Sequence, residues 1–242
     1  MSNKNHAFSL LELAIIFTII GLIIAGITAG QRLVEQSKIQ TFIADIENVN
    51  NSVAIFVSTY DNYPGDFSKA QTFFGSADCI DHSFHTELTC DGDGNRKIGY
   101  NSSTDGALGE SSYVYTHLQL AKIYKHKSTF TPNTLSNSNN YYGVSAVNTP
   151  SFDVDGITGY FSFVGISNFA TKTGPYALSL GSIDSDEAIG AALTGATAWA
   201  VDNKLDDGVF TSGNITLGDD GSTTCSKTEK NAGCVMIYAP HG

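Results

Sequence analysis

One stretch near the start of the chain constrains everything that follows. Residues 7 to 26 read AFSLLELAIIFTIIGLIIAG, and between Lys4 and Arg32 the only formally charged side chain is Glu12. As a helix, Phe8 to Ala29 covers roughly 33 Å, enough to cross the hydrocarbon core of a bilayer. A carboxylate in such a setting is costly and needs a reason. A secretory signal peptide accounts poorly for it: the start carries only Lys4, Glu12 interrupts the apolar region, and Ile27-Thr28-Ala29 makes a poor cleavage site. A plain membrane anchor explains the length and leaves Glu12 unexplained.

Composition narrows the class. The chain has 242 residues, enough for one sizeable domain with an appended segment. It carries 24 acidic and 13 basic residues, a formal net charge of −11. Nucleic acid is therefore not expected as a partner, because phosphate binding needs clustered Lys and Arg. Few charges with abundant Asn, Ser, Thr and Gly suit an exported, loop-rich protein. The four cysteines fall into two local pairs, Cys79 with Cys90 and Cys225 with Cys234. Such pairs read as disulfides in an oxidising compartment, although four cysteines allow three connectivities.

The apolar segment resembles the amino terminus of type IV prepilins and type II secretion pseudopilins. Phe8 matches the first mature residue of that family, Glu12 the fifth and Gly21 the fourteenth, behind a short polar leader, MSNKNHA. Ala7 stands where the family has Gly before the cut, and Ala29 stands where it has a Pro. The resemblance implies cleavage between Ala7 and Phe8 by a prepilin peptidase, which then methylates the Phe8 amine. It also implies that Glu12 acts in assembly by pairing with the amine of a neighbouring subunit. Glu12 lies four residues from Phe8, on the same helix face, so it could also neutralise its own amine.

The helix is expected to continue past the membrane. Ile39, Phe42, Ile43, Ile46, Val49, Val53, Phe56 and Tyr60 recur at three- and four-residue spacing, and no proline precedes Pro64. DNYPGD is a stop signal. One helix of about fifty residues would measure roughly 80 Å. The expected organisation is a leader at 1–7, a transmembrane or filament-core helix at 8–30, its amphipathic continuation at 31–62 and a globular domain at 63–242. Short helices are expected in FSKAQTFFG and ESSYVYTHLQLAKIY, a loop over Ser128 to Asn140, and strands in GYFSFVGI, YALSLGS, GNITLGD and CVMIYAP. SDEAIGAALTGATAWAVDNKL reads as one helix, with Ser185 as N-cap, Asp186 and Glu187 in its first turn, and a stripe of Ile189, Ala192, Leu193, Ala196 and Trp199. The fold class is therefore α+β: a long amino-terminal helix packed on a small antiparallel sheet with short extra helices, the pilin-like layout.

DGDGNRKIG is the most metal-like stretch. Asp91, Asp93 and Asn95 occupy the first, third and fifth positions of a calcium loop, and Lys97 offers a carbonyl at the seventh. The pattern then departs: Arg96 replaces the usual Gly and Ser102 the bidentate Glu, so Asp105 or Glu110 would have to supply a carboxylate by another path. The alternative is a solvated turn. Calcium sites in some pseudopilins favour an ion here, through the resemblance. Asp202, Asp206 and Asp207 form a second acidic cluster, read as capping and turn formation or as a cation seat. Cys79, His82, His85 and Cys90 have unusual spacing for zinc, and a Cys79–Cys90 disulfide is expected instead. The placement of Cys225–Cys234 resembles the disulfide-bounded region of many pilins.

No catalytic motif is present, and His117 reads as a packed or surface histidine. The chain is therefore not expected to be an enzyme. NYPGDF, ESSYVYTHLQLA and DNKLDDG further resemble pseudopilin-like proteins. The resemblance implies a structural subunit of a type II secretion pseudopilus or type IV pilus, held in a bacterial inner membrane with its carboxyl-terminal domain in the periplasm. Its partners would be the peptidase, other pilin or pseudopilin subunits, and an inner-membrane assembly platform. A non-polymerising, membrane-anchored periplasmic binding domain is the alternative, and Glu12 distinguishes the two.

Overall fold

The computed structural model describes residues 10–75, 91–98, 110–125, 149–164, 174–184, 187–218, 225–228 and 232–240. The chain divides into two compact units, Met1–Thr41 and Phe42–Gly242.

One helix, α1 (Leu10–Tyr60), runs through both. Its sequence has no proline, and its end is abrupt. Asp61 takes a left-handed conformation (φ 52°), its N–H donating to the Val57 carbonyl at 2.9 Å, and Pro64 then blocks continuation. The portion in the first unit leaves its large apolar side chains exposed, from Leu10 through Val34. It is long and apolar enough to cross a membrane.

In the second unit the same helix becomes amphipathic. Phe42, Ile46, Val49, Ser52, Val53 and Phe56 are buried. Phe42 meets Phe152 and Phe161 at centroid distances of 4.5 and 5.8 Å. Fully burying each such side chain contributes roughly 1.5–3 kcal/mol, so this stripe is what holds α1 to the unit.

What it packs on is an antiparallel sheet. Its strands are β1 (Ser151–Asp153), β2 (Thr158–Val164), β3 (Ala177–Asp184), β4 (Glu187–Gly190), β5 (Leu193–Thr194), β6 (Ile215–Gly218) and β7 (Ala232–Tyr238). The order is β1-β2-β3-β7-β5, with β4 beside β3 and β6 beside β7. Register places Phe161 opposite Leu180, Phe163 opposite Leu178, and Leu178 opposite Tyr238. These side chains share the face that meets α1, because partners across a ladder point the same way. Leu178, Ser179 and Leu180 are all buried, as are Cys234 to Ile237, so the central strands are covered on both faces. Three short helices complete the described residues: α2 (Ala70–Phe74), α3 (Val114–Leu120), preceded by a 3-10 turn at Glu110–Ser112, and α4 (Gly195–Leu205).

The architecture is the α+β arrangement that the sequence predicts, with one correction. The stretch from Ser185 to Leu205 is not a single helix. Glu187–Gly190 and Leu193–Thr194 are strands, and α4 begins only at Gly195. Ser185 and Asp186 lie outside the described residues, Glu187 belongs to β4, and Ala192 and Leu193 are buried beside β7 rather than on a helix stripe. The true cap is Thr194, whose Oγ1 accepts from the Thr197 N–H at 3.2 Å. Asp155 reinforces it from the β1–β2 turn, accepting from the Thr194 N–H at 2.7 Å and the Thr197 hydroxyl at 2.9 Å. A carboxylate there favours the positive end of the helix dipole.

Cys225 and Cys234 are joined as a disulfide, with Cα atoms 5.1 Å apart. Lys227, inside that loop, sits with its Nζ 3.3 Å from the centre of the Trp199 ring on α4. The Cys79–Cys90 pairing, His82 and His85 lie outside the described residues, as does the loop over Ser128 to Asn140.

Candidate functional site

Two features carry chemistry, one in each unit. In the first unit the side chains of residues 10 to 29 are exposed, Glu12 among them, and every neighbour of Glu12 along the helix is apolar. Gly21, Gly26 and Gly30 have open space where a Cβ would stand. Ala7 and Phe8, the expected cleavage pair and methylation residue, lie outside the described residues.

In the second unit three segments interlock just beyond the end of α1. The first is Pro64-Gly65-Asp66-Phe67, the second residues 91–98, and the third the turn at Glu110 leading into α3. The Gly65 N–H donates to His117 Nδ1 at 2.8 Å, so this histidine carries its proton on Nε2. His117 is fully buried, stacked between Phe56 and Tyr113 at interplanar angles of 14° and 9°. It is a packed histidine and not a base in a cleft.

Asp66, also fully buried, is gripped by the loop that follows it in space. Its Oδ1 accepts from the Asn95 N–H at 2.9 Å and its Oδ2 from the Arg96 N–H at 2.8 Å. Its carbonyl accepts from the Gly94 N–H at 3.0 Å. Asp93 bonds back to its own turn, accepting from the Asn95 N–H at 2.8 Å and from Asn95 Nδ2 at 2.7 Å. Glu110, buried to 4 % exposure, accepts from the Asp93 N–H at 2.9 Å. Oxygens of Asp66, Asp93 and Glu110 all lie within 4.8 Å of one another.

The loop residues singled out by sequence therefore part company. Asp93 joins a carboxylate group with Glu110, which sequence offered as an alternative, and with Asp66, which it missed. Asp91 instead accepts from the Gln71 N–H at 2.8 Å, in the first turn of α2. The Asn95 side-chain oxygen accepts from the Lys97 N–H at 2.8 Å. Arg96 points outward, donating to the Asp61 carboxylate at 2.6 Å in an exposed pair of little energetic weight. Asp105 lies outside the described residues. The missed signal was the Asp two residues after Pro64, masked because PGD reads locally as a turn.

Electrostatics follows from this crowding. Burial, opposed by the Arg96 N–H and aided by the facing Asp93 carboxylate, pushes Asp66 up to about 6 from 3.8. Below about pH 4 the folded and unfolded chains both hold this proton; between about 4 and 6 only the folded chain does. Stability from this group is therefore present at low pH and lost as pH rises through that window. In buffer free of divalent cations, the melting temperature of wild type relative to Asp66→Asn should fall across it, as read by circular dichroism. A flat difference would refute the assignment.

The second acidic cluster is held by backbone N–H groups and one hydroxyl. Asp206 Oδ2 accepts from the Ile215 N–H at 2.8 Å, and Asp207 accepts from the Val209 N–H and the Ser212 hydroxyl at 2.8 and 2.6 Å. Gly208 turns with φ 75°. Asp202 is buried on α4, and oxygens of the three residues lie within 4.8 Å of one another. Capping and turn formation account for Asp206 and Asp207.

No protein-family model matches the chain, and no curated protein or solved structure matches it either.

Proposed function

We propose that this chain is a structural subunit of a type IV pilus or type II secretion pseudopilus, processed before Phe8 and polymerised through the first part of α1. The observation that carries the reading is a helix with two kinds of surface. Up to Val34 its large apolar side chains are exposed around a single carboxylate; from Phe42 an apolar stripe is buried in a folded unit. Such a helix suits lipid before assembly and the helices of other copies afterwards. Lipid and filament core are similarly apolar, so transfer between them costs little and the filament can be extended and dismantled. Glu12 supplies the specificity: it meets a newly made ammonium only at the correct axial offset, since an ion without a partner is expensive in that medium. Under this reading the second unit faces the periplasm, and the partners are a prepilin peptidase, other subunits and an assembly platform.

Calcium belongs to the same proposal, at Asp66, Asp93 and Glu110. Two buried carboxylates, Asp66 and Glu110, beside a third favour a shared proton or a cation, and hard oxygen ligands suit calcium. Calcium at neutral pH should raise the melting temperature and flatten the pH dependence of Asp66; no change in either would remove it from the reading.

The deciding experiment is mass spectrometry of the amino terminus of the chain purified from cell envelopes. The expected result is a first residue of N-methylated Phe8. A chain beginning at Met1, or near Gly30, would overturn the proposal.

A further inference from the structure

The chain contains six Asp-Gly pairs, and four lie among the described residues: Asp91-Gly92, Asp93-Gly94, Asp155-Gly156 and Asp207-Gly208. Each pair holds a latent reaction. The glycine nitrogen can attack the aspartate side-chain carbon, because no Cβ shields it and its backbone turns freely. A folded chain permits this where the nitrogen is uncommitted and the carboxyl group is held against it.

Three of the four nitrogens are committed. The Gly92 N–H donates to the Phe67 carbonyl at 3.1 Å and the Gly94 N–H to the Asp66 carbonyl at 3.0 Å. The Gly156 N–H donates to Asp153 Oδ1 at 2.9 Å. Two of the carboxyl groups are also engaged elsewhere, Asp91 by the Gln71 N–H and Asp155 by Thr194 and Thr197. Gly208 is the exception: among the described residues no hydrogen bond holds its N–H. Asp207 is exposed, and its side chain folds along the chain that follows it. Its Oδ1 accepts from the Val209 N–H at 2.8 Å and its Oδ2 from the Ser212 hydroxyl at 2.6 Å. An oxygen bonded to the amide two residues on lays the side-chain carbon over the intervening peptide, whose nitrogen belongs to Gly208.

We propose that Asp207 is a self-modification site, converting to isoaspartate through a cyclic imide formed with Gly208. The Gly208 nitrogen bonds to the side-chain carbon of the protonated Asp207 carboxyl group, and one carboxyl oxygen leaves as water, taking the amide proton and the carboxyl proton. Water then adds to the main-chain carbonyl of Asp207, and the original peptide bond breaks. Mass is unchanged, but the chain now runs through the former side chain and is one methylene longer. The carboxylate that Val209 and Ser212 held is gone from its place, in the turn that joins α4 to β6. Asp206, through the Ile215 N–H, is left to hold that turn. The change needs only water and accumulates with time, so it records the age of the folded chain. The inference goes beyond the filament reading and stands whether or not the chain polymerises.

The test incubates the full chain in detergent micelles at mildly acidic pH, folded and, in parallel, unfolded in urea. Digestion with an endoproteinase that cuts before aspartate but not before isoaspartate, followed by mass spectrometry, reads each pair. Each folded rate is divided by the unfolded rate of the same pair, which removes the influence of local sequence. On that scale Asp207 should lead Asp91, Asp93 and Asp155 by about fivefold or more, the factor by which one committed amide hydrogen bond slows a reaction. Folded Asp207→Asn reaches the same imide by losing ammonia in place of water, and should show the mass gain of deamidation at 207. A folded wild-type chain in which Asp207 converts no faster than the other three overturns the proposal. So does a folded Asp207→Asn chain that keeps its side-chain amide throughout.

Discussion

Under the proposed filament function, replacing Glu12 with Ala is expected to reduce incorporation into filaments by about tenfold or more, while membrane insertion and processing at Phe8 continue. The loss follows from what remains behind. Removing one partner of a buried ion pair leaves the other charged in an apolar surround, typically a cost of about 3–5 kcal/mol. Each 1.4 kcal/mol is roughly tenfold in an equilibrium, so a partly wet interface still loses about that much. Immunoblots of sheared filaments against the membrane fraction would measure it, with Glu12→Asp as an intermediate because its carboxylate is set back along the helix. Wild type and Glu12→Ala both confined to the membrane fraction would turn the reading to a membrane-anchored domain that does not polymerise, and equal incorporation of both into filaments would remove Glu12 from assembly.

The second large effect lies where no charge is involved. Gly92→Ala is expected to destabilise the folded unit by about 3 kcal/mol, the upper end of overpacking effects. That corresponds to a fall of roughly 6–12 °C in melting temperature for a unit of this size. A Cβ at Gly92 would stand 2.4 Å from the Asp66 Cα, the Asp66 carbonyl carbon and the Gly65 carbonyl oxygen. All three are backbone atoms, so no side chain can swing aside. The Gly92 N–H also donates to the Phe67 carbonyl at 3.1 Å, tying the same two strands of chain together. Gly156→Ala is the control. It has a left-handed φ of 80° but nothing within 4 Å of its added Cβ, so it carries conformational strain without collision. Thermal melts of the two variants separate the causes: a Gly92→Ala midpoint no lower than that of Gly156→Ala would show that the interlock gives way.

The legible parts of this fold were those set by local pattern. The apolar run with Glu12, the spacing from Phe42 to Phe56 and the strands around Phe161, Leu178, Ile215 and Met236 follow from periodicity, which one segment carries by itself. What escaped was set by distant partners. The sequence from Ser185 reads as helix, yet β3 and β7 recruit Glu187–Gly190 and Leu193–Thr194 as strand, and the helix waits for Asp155, some forty residues upstream, to cap it at Thr194. The carboxylate group was half visible for the same reason. Asp93 advertises itself in DGDGN, whereas Asp66 is one residue of a turn until folding brings Asn95 and Arg96 to its oxygens.

Trp199 is the only tryptophan in the chain, and it lies beneath the Lys227 ammonium of the Cys225–Cys234 loop. Indole emission responds to nearby charge, so the protein carries its own optical gauge of that loop. Reduction of the disulfide is expected to draw the lysine away from the ring, a change that fluorescence would read without any added label.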